Sequence, residues 1–106
     1  MLIELRQYRA HPGKRDDFVR LMETEIIPFQ FGKGMVIMGS FVVEDDPDAY
    51  VWIRRFDDEA HREALYDAVY KSDHWVSVIA PQIPYLLIRE EIKVTRLVPT
   101  ALSMLR

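Results

Sequence analysis

Two short stretches of the chain carry side chains that could do chemistry together. In IELRQYR (3–9), Glu4, Arg6 and Tyr8 recur at every second position, and in VWIRRF (51–56) Trp52, Arg54 and Phe56 do the same. A strand sends successive side chains to opposite faces, so each trio lines one side of its strand, with neighbours roughly 7 Å apart. Guanidinium groups for a carboxylate, a phenol for an oxyanion and aromatic walls for a planar or acyl portion are the ingredients of a small-molecule pocket. Proton transfer by Glu4 is disfavoured. An arginine on its own face lowers its pKa, whereas a base working near neutrality needs its pKa raised. The competing reading is architectural: buried charges must be paired, and a network of Glu4 with Arg6 or Arg54 could satisfy itself and fix a register. His74 and Trp75, adjacent in SDHWVSVIAP (72–81), are second-rank candidates for the rim of such a pocket.

Other chemistries find little support. The 106 residues contain no cysteine, which removes thiolate nucleophiles, disulfides and cysteine-bound metals. His11, His61 and His74 show no i, i+4 pairing, so no metal site and no cofactor is expected. The formal net charge of −3 argues against a nucleic-acid surface. GKG (32–34) follows a helix and precedes a strand, the reverse of a phosphate loop's order. No apolar run approaches the roughly 20 residues of a membrane span, and the N-terminus lacks the pattern of a secretory signal. With the missing cysteines, this fits a reducing cytoplasm.

The elements that must position these residues follow from periodicity. Residues 2–9 alternate as a strand, HPGK breaks it, and a helix follows from about Lys14 with Phe18, Leu21, Met22, Ile26 and Phe29 along one stripe. Pro28 is expected to end or kink it. Segments 35–44 and 49–57, joined by DDPD, read as a β-hairpin, with Gly39 marking a bulge or a close backbone approach. A second helix starts at Asp57 or Asp58 as N-cap, with Ala60, Ala64, Leu65, Ala68 and Val69 as its apolar stripe. A short helix after Ser72 and Asp73 should bury Trp75, Val78 and Ile79. A last strand over 87–97 would place Ile88, Glu90, Ile92, Val94 and Arg96 on one face, and the end of the chain stays apolar. The result is one α+β domain over 1–106, a ferredoxin-like βαββαβ sandwich with an extra short helix.

Such a fold has helices on one sheet face only. The strands here carry large apolar residues on both sides, as in sheets covered twice, so a second copy of the chain is expected on the open face. Ile3 and Leu5 are assigned to the helix side. Glu4, Arg6, Tyr8, Trp52, Arg54 and Phe56 then point away from the helices, between two facing sheets.

The chain also resembles a known family. ELRQYRAHPGK, WIRRFDDEAHREA, SDHWVSVIAP and RLVPTALSML are similar to the opening, the strand-to-helix segment, the tryptophan-containing helix and the ending of NIPSNAP proteins, in order and across essentially the whole chain. The resemblance implies a dimeric α/β barrel, in which two ferredoxin-like subunits press their sheets together around a cavity. It agrees with homodimerisation through the open face and the C-terminal tail but fixes no reaction; the candidate residues themselves point to a small organic ligand, carboxylate-bearing or aromatic, in the cavity. A cofactor-independent enzyme of monooxygenase or isomerase type and a purely structural dimer both stay open. Trp52 and Arg54 stand where the family often has a histidine and a tryptophan, so no histidine role carries over.

Overall fold

In the computed structural model, which describes residues 1–106, the alternation at the N-terminus becomes strand β1 (Leu2–Arg9). Gly13, at φ 78°, turns the chain out of it in the left-handed region that glycine enters freely. The helix that follows runs as α1 (Arg15–Leu21), a π-turn (Met22–Ile26) and α2 (Ile27–Gly32). It does not end at Pro28. The widened turn, closed by the Ile27 N–H donating to the Met22 carbonyl, lies just before the proline. Pro28 then opens a new α-helical segment, where the N–H it lacks is not needed.

Strands β2 (Val36–Val42), β3 (Ala49–Phe56) and β4 (Lys93–Leu97) complete an antiparallel sheet in the order β2-β3-β1-β4. This is the ferredoxin-like α+β arrangement expected. The β2–β3 register slips between Ile37 and Gly39, and the Phe41 ring occupies the space that a Cβ on Gly39 would need.

The two faces are the reverse of the expected ones. Pairing of Glu4 with Arg54, Arg6 with Trp52 and Tyr8 with Tyr50 puts all six candidate residues on one side, and that side faces the helices. Tyr8, Tyr50 and Trp52 pack into the main core with Phe18, Met22 and Ile26, and Phe56 packs with Met35, Leu65 and Val69. Leu5, Val51 and Ile53 look out from the other side, only half-buried. Alternation fixes that the two sets oppose each other. It does not fix which set the helices cover, and here the helices bring the polar groups that make the charged face buriable.

Helix α3 (Glu59–Tyr70) begins at Asp58, whose carboxylate accepts from the His61 N–H at 2.8 Å. Its inner stripe also differs from the expected one: Ala60, Ala64 and Ala68 are exposed, while Leu65 and Val69 are buried with Arg62, Tyr66 and Tyr70 half-buried beside them. Burial of the next turn, Trp75–Ile79, is carried by Ile79 and partly by Trp75, while Val78 is exposed. The final strand is shorter than 87–97. Residues Ala80–Tyr85 and Arg89–Glu91 form 3-10 turns, and Leu87 makes an isolated bridge to Ala10. Beyond Leu97 the chain returns beside Ile3 and Ile53, but Leu102 is 91% and Met104 98% exposed, so the expected packing of the tail is only partial.

Candidate functional site

The charged centre of the helix-facing side is a dense hydrogen-bonded network in which Arg54 Nε is buried without a partner. Arg54 and Glu4 are both fully buried. Arg54 donates through Nη2 to Glu4 Oε1 at 2.7 Å and Tyr66 Oη at 2.8 Å, and through Nη1 to Tyr70 Oη at 2.7 Å and Gln30 Oε1 at 2.9 Å. Glu4 Oε2 accepts from Tyr66 Oη at 2.6 Å and Arg62 Nε at 2.8 Å. Four aromatic rings surround the Arg54 guanidinium, the nearest being Trp52 at 4.8 Å and Tyr66 at 5.2 Å. Positions 62, 66 and 70, one helical turn apart, deliver all three α3 partners to one stripe.

Burial pushes the Glu4 carboxyl up, but the Arg54 charge and the bonds from Tyr66, Arg62 and Arg54 outweigh it and hold the group at about 2. Burial also drives Tyr66 up to about 12, against the pull of Arg54, so it stays a neutral donor. Burial opposes the Arg54 charge, yet Tyr70, Tyr66 and Glu4 raise its pKa above the ordinary arginine value. Glu4 is therefore a carboxylate at neutral pH with both of its oxygens engaged.

Next to this network, between the sheet and the helices, lies a cavity of about 250 Å³. The sheet contributes Arg6, Tyr8 and Trp52 to its wall. The first helix contributes Phe18, Met22 and Ile26, while Tyr70 and Trp75 close another side. Ile83, Leu87, Arg89 and Ile92, from the turns before β4, complete it. The wall is apolar apart from a few groups. Arg6 donates through Nε to Tyr8 Oη at 2.7 Å and through Nη1 to Tyr66 Oη at 3.3 Å, with Nη1 3.7 Å from Glu4. Tyr8 is kept protonated, because burial raises its pKa more than Arg6 lowers it.

The eight candidates thus separate. Arg6, Tyr8, Trp52 and Trp75 line the cavity. Glu4, Arg54 and Phe56 lie outside its wall, the first two in the network and the third in the second core cluster. His74 is exposed, its ring 4.9 Å from that of Phe29, and contributes nothing to the lining. Sequence reasoning missed Arg62, Tyr66 and Tyr70 because their polar ends hid them from an apolar stripe, although the i, i+4, i+8 spacing was available. It also missed Ile83, in a 3-10 turn that no expected element covered, and Leu87 and Arg89, which reach the cavity because the chain turns where a strand was expected.

The family model NIPSNAP matches residues 3–104. Among solved structures, an uncharacterised NIPSNAP domain protein from Burkholderia xenovorans superposes with a TM-score of 0.83 at 25% identity, covering 97% of this chain and 98% of that one. A NIPSNAP family protein of unknown function from Agrobacterium tumefaciens gives 0.88 at 24% identity over 100% and 94% of the two chains. An antibiotic biosynthesis monooxygenase shares the fold at a TM-score of 0.69 and 20% identity, over 94% and 99%. No curated protein matches the sequence.

Proposed function

The chain belongs to the NIPSNAP family, and we propose that it binds a small organic molecule in the cavity between its own sheet and helices, as one half of a face-to-face homodimer. The observation that carries the binding reading is the composition of that cavity. Aromatic and aliphatic residues make most of its wall, with Arg6 and Tyr8 set on the rigid sheet. A few fixed polar groups in an apolar concavity are the usual form of a small-molecule site. The site is intrasubunit, so it does not depend on the space between two sheets.

The dimer reading rests on the other face. Leu5, Val51, Ile53 and Leu97 share it with Val36 and Phe41, the last 50% exposed, and no helix of the chain covers them. A contiguous apolar sheet face of this kind favours a self-complementary partner. The exposed apolar tail extends the same surface.

Native mass spectrometry of the purified protein, alongside an Ile83→Trp variant that fills the cavity, tests both parts. The expected result is a dimer carrying a small reproducible extra mass that the variant lacks. An extra mass retained by the variant would place the ligand elsewhere, and a monomer would remove the face-to-face dimer.

A further inference from the structure

Resting on the binding reading above, we infer that the cavity is a donor-only anion site and that its ligand is a small carboxylate with an apolar body, held by Arg6 and Tyr8. The inference comes from counting which hydrogen-bonding capacity of the sheet wall is already spent. The Tyr8 oxygen accepts from Arg6 Nε, and the same phenol donates to no acceptor in the protein. The Trp52 side chain is 2% exposed. Its indole N–H meets no acceptor in hydrogen-bond geometry and is sealed off by protein, so it is not offered to the cavity. Arg6 spends Nε on Tyr8 and Nη1 on Tyr66, while its Nη2 has no partner and is not sealed off by protein.

Arg6 and Tyr8 therefore both retain an N–H or O–H group for the cavity, and a guanidinium cannot accept. They stand two residues apart on one face of β1, so the two donors converge on one patch of sheet. A buried donor without a partner is costly, and both would be satisfied by a group that only accepts. Charge points the same way. Three guanidiniums gather on Glu4 at 2.7, 2.8 and 3.7 Å, and Arg6 is the most loosely held. Arg89, also on the wall, adds a further cation. The apolar remainder of the wall suits a short hydrocarbon or aromatic body, and the volume limits that body to roughly one ring or a short chain.

The chain supplies its own reporter, because both of its tryptophans line the cavity. Titrating the intact protein with benzoate, benzyl alcohol and benzylamine while following tryptophan emission separates the possibilities. Benzoate should bind at least about tenfold more tightly than the alcohol, the scale of one charge-assisted hydrogen bond, and the ammonium should not bind. Arg6→Met should remove that preference. Tyr8→Phe, a milder change, should weaken benzoate several-fold and leave benzyl alcohol nearly unaffected. If the alcohol or the ammonium binds as well as benzoate, the cavity is a binding site but the anion inference is wrong. If none of the three binds, the anion inference is wrong, and the binding reading falls with it unless the purified protein still carries the extra mass that Ile83→Trp lacks.

Discussion

The two faces of this one sheet are built on opposite terms. The helix-facing side carries Glu4, Arg6, Tyr8, Trp52 and Arg54, yet it is the sealed side, with Glu4 and Arg54 fully buried. The other carries Leu5, Val51, Ile53 and Phe41 and is left half open. Hydrophobicity by itself would have ordered them the other way. The polar face can be covered because α3 and α2 bring a phenol or an amide to every charge, so the cost of burial is offset bond by bond. The apolar face has no such local partner, and in this reading its partner is another copy of the chain. Within the covered face there is a second division: Glu4 and the Arg54 charge are paired internally, with Arg54 Nε left buried and unpartnered, whereas Arg6 and Tyr8 keep donors for the cavity.

The largest effect should come from breaking the satisfied centre on one side only. Arg54→Met leaves Glu4 buried without its closest cation and should cost about 3–5 kcal/mol in urea unfolding. Glu4→Gln combined with Arg54→Met should recover much of that loss, because no unpaired charge remains. Equal destabilisation by the single and double variants would mean that packing, not charge, holds this face together.

A smaller effect follows from pH. The folded Glu4 carboxyl is held at about 2, below its ordinary value of 4.5, so its contribution is fully present above pH 4.5 and fades as pH falls toward 2. The size of that contribution is on the order of 3 kcal/mol. The stability gap between the wild type and Glu4→Gln should therefore narrow as acid is added through this window. A gap that stays constant would show that Glu4 is not held ionised by the fold.

Much of this architecture was legible in the sequence. Alternation gave β1 and β3, the Asp58 cap and the turn residues gave the element order, and period two placed the six candidate residues of β1 and β3 on a common face. Three things were not legible. Which face the helices cover depends on tertiary placement, which alternation does not encode. At Pro28 local propensity leaves an end or a kink open, and it does not encode that buried residues on both sides, Met22 and Ile26 before the proline and Gln30 after it, keep the helix going through a π-turn. The cavity needs the 3-10 turn around Ile83, which no periodicity marks, and the one at Arg89, which falls inside the strand expected over 87–97.

Tyr66→Phe probes the join between the two halves of the covered face at a still smaller scale. The phenol donates to Glu4 and accepts from both Arg54 and Arg6, so its loss should cost about 1–3 kcal/mol. It should also loosen Arg6, changing benzoate affinity without altering the cavity wall, to which Tyr66 does not belong. An unchanged affinity would mean that Arg6 is positioned by Tyr8 alone.

The smallest effect on the fold should come from the open face, where the contrast is sharpest. Phe41 is 50% exposed and rests on Gly39, so Phe41→Glu removes little that the single chain has buried. The stability of the isolated chain should change by no more than about 1 kcal/mol. In the proposed dimer, however, the substitution sets a carboxylate against its symmetry-related copy in an apolar interface, where neither charge has a partner. Sedimentation at micromolar concentration should then show the mass falling to that of one chain, with far-ultraviolet circular dichroism unchanged. Retention of the dimer would move the interface to the tail or elsewhere, while loss of the fold itself would mean that the open face supports the single chain far more than its exposure indicates.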